Sequence, residues 1–228
     1  RQWTSQLLPF LEQPLEAEFV SVLGCPSDRY RPGGHPYDNM HRKFQRSYQI
    51  NDGVWNKDAN GMARAPLFRG EATRLVRPAD VTDGLSSTAA FAEKLDWPPY
   101  APENVPVDSH QEDWNRRIHN TATYRAELDP FFDECDQRAL PPGPYWYSIW
   151  GYNHVMTPNR NSCFNGPRWP WPKPNSKGKW AITATSEHSA GVHVLFADGA
   201  VRFVGDSIDR TVWRALGTRN GEETVGSF

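Results

Sequence analysis

The sequence predicts a mixed α+β fold in which short antiparallel strands and short helices are joined by long loops. Three observations carry that prediction. The chain has 20 Pro and 17 Gly in 228 residues, and both residue types punctuate regular elements rather than extend them. Only 38% of residues are apolar, yet 13% are aromatic, including 10 Trp; a disordered chain lacks that aromatic load, so this one folds, with many loops. Finally, the C-terminal part sets a strong two-strand signal directly before a short amphipathic helix signal. The length suits one domain over 1–228 with a loop-rich insertion near 97–180, and is enough to bury a core.

The elements follow in order. Trp3–Phe19 has apolar residues at helical spacing, broken by Pro9 and Pro14, which predicts one or two short helices. Cys25–Asp28 (CPSD) reads as a turn, and 31–41 as a polar loop. Ser47–Trp55 is strand-compatible up to its Asn51-Asp52-Gly53 turn signal. Pro78 and Asp83-Gly84 mark further turns. Thr88–Leu95 (TAAFAEKL) suits either a strand or a short helix, and its alanines favour the helix. Trp97–Pro106 is Pro-rich surface chain, and Asp108–Pro144 a charged insertion with some helix. Tyr145–Val155 (YWYSIWGYNHV) is rich in strand formers. Asn165–Trp180 must be loop, because its prolines cannot donate to a ladder.

The strongest signal comes last. Val192–Ala197 (VHVLFA) and Ala200–Val204 (AVRFV) flank Asp198-Gly199, the dipeptide that a two-residue type I′ hairpin turn prefers. Val192, Val194 and Phe196 fall on one face of the first strand, with His193, Leu195 and Ala197 on the other. Asp206–Leu216 then places Ile208, Val212, Trp213 and Leu216 at helical spacing, with Asp209 as the cap and Gly217 as the stop.

Charge and motifs exclude several function classes. The formal net charge is −2 and basic residues are scattered, so no stripe is offered to nucleic acid. No apolar run approaches the ~20 residues of a spanning helix. The sequence starts at Arg1 without a signal-peptide pattern, which reads as a processed product or the inside of a longer protein. Cys25, Cys135 and Cys163 form no Cys-x2-Cys pair, so a zinc ribbon or redox motif is not expected. In an oxidising compartment Cys135 and Cys163, nearest in sequence and flanking a Pro-rich loop, are the expected disulfide; three buried thiols are the alternative. The sequence contains no nucleophile elbow, His-Glu-x-x-His, phosphate-binding loop or dinucleotide fingerprint, and no catalysis is expected.

Several blocks carry a family resemblance. Ser186–Phe203, with nine residues between His188 and Asp198-Gly199, resembles the His-x9-Asp-Gly signature of a bacterial pseudopilin-like family associated with prepilin-type processing. Ser207-Ile208-Asp209 and Trp213–Thr218 resemble its continuation. Leu7–Gln13, the Cys25–Asp28 turn, Asp80–Thr88 and Asn153–Cys163 resemble further blocks, in the family order. The resemblance implies an extracytoplasmic domain (periplasmic, cell-surface or secreted) of pilin-like plan, an antiparallel sheet packed on helix, with protein partners or self-assembly. Such proteins usually start with a leader and a long hydrophobic helix; neither is in this sequence, so membrane contact is expected only through that missing helix.

Most candidate site residues have a structural reading beside the functional one. His188 and Asp198 stand at opposite ends of one hairpin arm, too far apart to exchange a proton, so structural roles for both, and for Gly199 in the turn, are expected. His154 is expected to pack or cap. His110, Glu112 and Asp113 with Asp108, and His35 and His41 near Asp38, read as solvated loop rather than metal ligands. Asp80, Asp83, Asp206 and Asp209 supply hard oxygens of the kind calcium takes, at spacings matching no calcium loop; no cofactor is expected otherwise. Trp169, Trp171 and Trp180, with Tyr145, Trp146 and Tyr147, offer an alternative function as an aromatic platform for extracellular glycan.

Overall fold

The computed structural model describes residues 8–12, 20–27, 47–54, 76–95, 119–121, 124–137, 151–166, 180–223 and 225. The hairpin organises them. Strand β6 (Gly191–Phe196) pairs antiparallel with β7 (Val201–Gly205), from Gly191↔Gly205 to Leu195↔Val201. The connection is three residues long, not the two of a type I′ turn. The Phe196 carbonyl accepts from the Gly199 amide at 3.0 Å, and the Phe196 amide donates to the Ala200 carbonyl at 2.8 Å. Among Ala197, Asp198 and Gly199, positive φ falls on Gly199 alone, at +88°. This is the type I turn with a glycine bulge. Asp198 serves by accepting the Ala200 amide on its side chain at 2.9 Å.

Strands β1 (Tyr48–Ile50) and β2 (Ala89–Glu93) complete an antiparallel sheet of order β1-β2-β6-β7. The helix that the alanines of Thr88–Leu95 favour does not form. β2 is hydrogen-bonded on both sides, and Ala89 and Ala92 are buried on the sheet's inner face. Paired burial outweighs an alanine preference worth only tenths of a kcal/mol per residue.

The Asp209 carboxylate caps helix α2 (Arg210–Gly217) by accepting the Thr211 and Val212 amides at 2.8 and 3.1 Å. Its buried Trp213 and Leu216 join Ala89, Ala92, Val192, Val194, Phe196 and Val204 in one core. Gly217 is not a left-handed stop residue. It is the last helical residue and buried, and a Cβ there would lie 2.4 Å from the His154 Cβ. The helix does stop at Gly217, with Thr218 as its extended cap, but the glycine is needed for close approach rather than for a left-handed turn.

A second, smaller sheet joins β3 (His119–Asn120), β4 (Cys163–Phe164) and β5 (Trp180–Ala181), with β3 parallel and β5 antiparallel to β4. Helix α1 (Leu128–Asp136) carries Pro130 in its first turn, where the missing amide costs nothing. It buries Phe131, Phe132 and Cys135 against Val155, Met156, Cys163 and Ala181. A disulfide joins Cys135 to Cys163 across this core, with the Cα atoms 6.1 Å apart. The two helices are tied by Arg214–Asp129 at 2.6 Å and Arg210–Asp133 at 3.0 Å. The Arg210 guanidinium also lies 4.7 Å over the Phe132 ring. Of Tyr145–Val155, residues 151–155 are described, and they form no strand beyond a bridge from Tyr152 to Asn51. The amides of Tyr152, Asn153 and His154 donate to Ile50, Ile182 and Gly53 in turn, so no single partner strand pairs with the segment. The architecture is α+β, and among the described residues no helix is long and apolar enough to cross a membrane.

Candidate functional site

The inner face of the main sheet is filled by α2, so any site on this sheet belongs to its outer face. Register places two rows of side chains there. Tyr48 stands across from Glu93, and His193 from Phe203; Ile50 stands across from Phe91, Phe91 from Leu195 and Leu195 from Val201. One row is therefore polar up to its last residue, and the other is apolar throughout.

The polar row carries a cluster that no sequence motif announced. Glu93, with its side chain 4% exposed, places Oε1 3.1 Å from His188 Nε2 and Oε2 3.3 Å from His193 Nδ1. The His193 amide also donates to Oε2 at 2.8 Å. Cys25, which is outside the disulfide, puts its Sγ 3.5 Å from His188 Nε2. The sulfur, the imidazole nitrogen and the carboxylate oxygen all lie within 4.8 Å of one another. The two imidazole rings meet edge-on with centroids 4.8 Å apart, and His193 in turn meets Phe203 edge-on at 5.2 Å. Burial, then the neighbouring Cys25 and Glu93, push the Tyr48 phenol above its ordinary pKa. The turn at Cys25 and the loop before β6 that brings in His188 both belong to sequence blocks singled out above; Glu93 and His193 gave no signal, since an isolated Glu or His in a strand is unremarkable until its register is known.

The apolar row ends on β7, the sheet's edge among the described residues. Val201 is 63% exposed and Phe203 49% exposed. Arg202 faces the other way, its guanidinium 4.7 Å over the Phe196 ring and 4.0 Å from Asp198.

The remaining candidates are dispersed. His188 and Asp198 have separate partners, Cys25 and Glu93 for one, Ala200 and Arg202 for the other. Asp80 bonds the Arg77 amide, Asp83 accepts the Gly221 and Glu222 amides and the Thr218 hydroxyl, and Asp209 caps α2. Asp80, Asp83, Asp206 and Asp209 form no ligand group among the described residues. Asp83 does line a shallow depression with Thr82, Ser87, Glu222 and Glu223, but its oxygens are already engaged there. Trp180 begins β5, while Trp169, Trp171, Tyr145, Trp146 and Tyr147 lie outside the described residues, as do His35, His41, Asp38, His110, Glu112, Asp113 and Asp108.

His154 is fully buried and structural. Its ring stacks on Trp213 with centroids 3.9 Å apart. Nδ1 lies 2.7 Å from the Trp213 carbonyl and Nε2 3.0 Å from the Tyr152 hydroxyl. A carbonyl only accepts, so Nδ1 carries the proton and Nε2 accepts from Tyr152. Burial lowers the His154 pKa from 6.5 to about 3, against the opposing bond to Trp213.

No curated protein and no solved structure matches the sequence. Residues 12–211, most of the chain, match a bacterial family described only as a protein of unknown function, DUF1559, and the chain belongs to that family.

Proposed function

We propose that this chain is a non-catalytic structural component of the cell envelope, a head domain of pilin-like plan that works outside the cytoplasm and assembles with further copies of itself. The observation that carries the reading is the β7 edge. Soluble proteins guard sheet edges with charge, proline or a covering element. Here the exposed outward side chains, Val201 and Phe203, are apolar, and the intervening Arg202 is turned onto Phe196. Two copies meeting edge to edge would extend the sheet antiparallel about a two-fold axis, each β7 satisfying the other's backbone groups. The Cys135–Cys163 disulfide supports an oxidising compartment.

Sedimentation velocity over a concentration series tests the association. The wild-type chain should self-associate, and Val201→Lys combined with Phe203→Lys should weaken association by tenfold or more while the far-ultraviolet circular dichroism stays unchanged. A wild type that stays monomeric throughout, or a double variant that associates equally well, refutes the reading.

A further inference from the structure

We infer that Cys25, Glu93 and His188 form a binding site for one divalent transition-metal ion of borderline softness, zinc in particular. The donor set is one thiolate sulfur, one imidazole nitrogen and one carboxylate oxygen, drawn from a turn, a strand and a loop far apart in sequence. The spacing fits. A tetrahedral zinc with Zn–S near 2.3 Å and Zn–N or Zn–O near 2.1 Å separates its S and N ligands by about 3.6 Å and its N and O ligands by about 3.4 Å. The observed separations are 3.5 Å for Cys25 Sγ to His188 Nε2 and 3.1 Å for His188 Nε2 to Glu93 Oε1.

The same contacts argue against a nucleophile–base–acid relay. A relay uses both nitrogens of the imidazole, one toward the nucleophile and one toward the acid. Here sulfur and carboxylate both face Nε2, the arrangement of ligands converging on a common centre. Charge points the same way: a thiolate and a nearly buried carboxylate together carry two negative charges, which a divalent cation neutralises beside a neutral imidazole. Calcium and magnesium are excluded by the single carboxylate among the three ligands, since both require an oxygen-rich shell.

The ligands are held in place. The Cys25 amide donates to Ser47 Oγ at 2.9 Å, and the His188 amide to Ser186 Oγ at 3.0 Å. His193, through its amide and Nδ1, fixes the Oε2 oxygen and leaves Oε1 facing His188; it is a positioning residue for the carboxylate. With His188 28% exposed, the fourth position is open to water, the pattern of a site with three protein ligands.

The test uses the full, tag-free chain after treatment with a chelator. Zinc is titrated in competition with a chromophoric chelator, and cobalt(II) is added as a spectroscopic substitute. The wild type should bind about one equivalent of zinc, and its cobalt form should show a thiolate-to-metal charge-transfer band. Cys25→Ser should abolish the band and, like His188→Gln, weaken zinc binding about 100-fold; His193→Gln should weaken it about tenfold and keep the band. Asp198→Asn should change neither. Should the ligand variants fail to fold, the wild type alone decides: zinc should slow alkylation of Cys25 by iodoacetamide, and EDTA should restore it. Absence of the cobalt band, zinc affinity unchanged in Cys25→Ser, or alkylation indifferent to zinc each overturns the site.

Discussion

Acidification should unfold this protein earlier than its carboxylates alone would dictate, because His154 must stay neutral in the folded state. Protonating Nε2 would turn its hydrogen toward the Tyr152 hydroxyl, which now donates to it, and would place a charge in a fully buried stack on Trp213. The folded-state pKa is depressed to about 3 against 6.5 for the exposed group. The sign follows from proton counting. Below pH 6.5 the unfolded chain binds a proton that the folded chain refuses, so stability falls as pH drops from about 6.5 toward 3. Each pH unit in that window costs about 1.4 kcal/mol, so the loss is about 3 kcal/mol between pH 7.5 and 4.5 and about 5 kcal/mol when complete. Against a domain stability of roughly 5–15 kcal/mol, that is a large share. Urea titrations at half-unit pH steps measure it, and His154→Phe is the comparison. The variant keeps a ring on Trp213 but should lose about 1–3 kcal/mol at pH 7.5 with the bond to the Trp213 carbonyl. Its stability should depend on pH less steeply than wild type by about one proton between pH 6 and 4.5. Equal slopes, or a His154 ring whose NMR shifts titrate near 6.5 in the folded protein, would refute the reasoning.

Two other substitutions test the packing. Gly217→Ala gains about 1 kcal/mol of helix propensity, yet its Cβ would lie 2.5 Å from His154 Cγ; overpacking of this kind costs about 1–3 kcal/mol, so the variant should be less stable by urea titration, and a stabilised variant would show that the helix and the His154 ring are not in contact. Cys135→Ser with Cys163→Ser opens a loop of sequence separation 28; closing such a loop is worth about 3–4 kcal/mol, so thermal melting should shift down by several degrees in non-reducing buffer, with no shift between the two proteins once the wild type is reduced.

What the sequence disclosed were the features with local causes. The hairpin, the alternation in β6, the Asp209 cap and the Trp213–Leu216 stripe each depend on neighbours within a few residues, and each is present. The failures, the length of the hairpin turn apart, have long-range causes. Alanine-rich Thr88–Leu95 looked helical because only its pairing with β1 and β6 makes it a strand. The helix does stop at Gly217, but the reason for a glycine there is hidden, because the ring it accommodates, His154, is 63 positions away in the chain. Asp-Gly alone does not set the length of the hairpin turn, because it serves both the type I′ turn and the bulged three-residue turn. The Cys25–Glu93–His188 cluster is invisible in the sequence because His188 meets Glu93, and Cys25 meets His188, only once the sheet register is set.

A chain so poor in apolar residues also needs a way to hold its loops, and the buried polar residues supply it. Asn51 is wholly buried; its amide donates to the Ala89 and Gly217 carbonyls at 2.7 and 2.9 Å and its oxygen accepts the Gly53 amide at 2.7 Å. It joins the end of β1, the start of β2 and the last residue of α2 through one side chain. Asn165 does the same around α1, accepting the Arg125 amide and donating to the Arg125 carbonyl. Thr183 and Asn159 reach the Asn161 and Gly191 carbonyls. Each replaces a ladder with side-chain bonds to backbone, so an irregular segment can be buried without orphaned amides. Such bonds are directional where apolar contacts are not, and they fix a loop at a defined position rather than merely collapsing it. That explains how two residues on irregular chain reach a strand carboxylate, with His188 3.1 Å from Glu93 and the Cys25 sulfur within 4.8 Å of it: the Ser47 and Ser186 hydroxyls that hold their amides belong to this same system of side-chain pins.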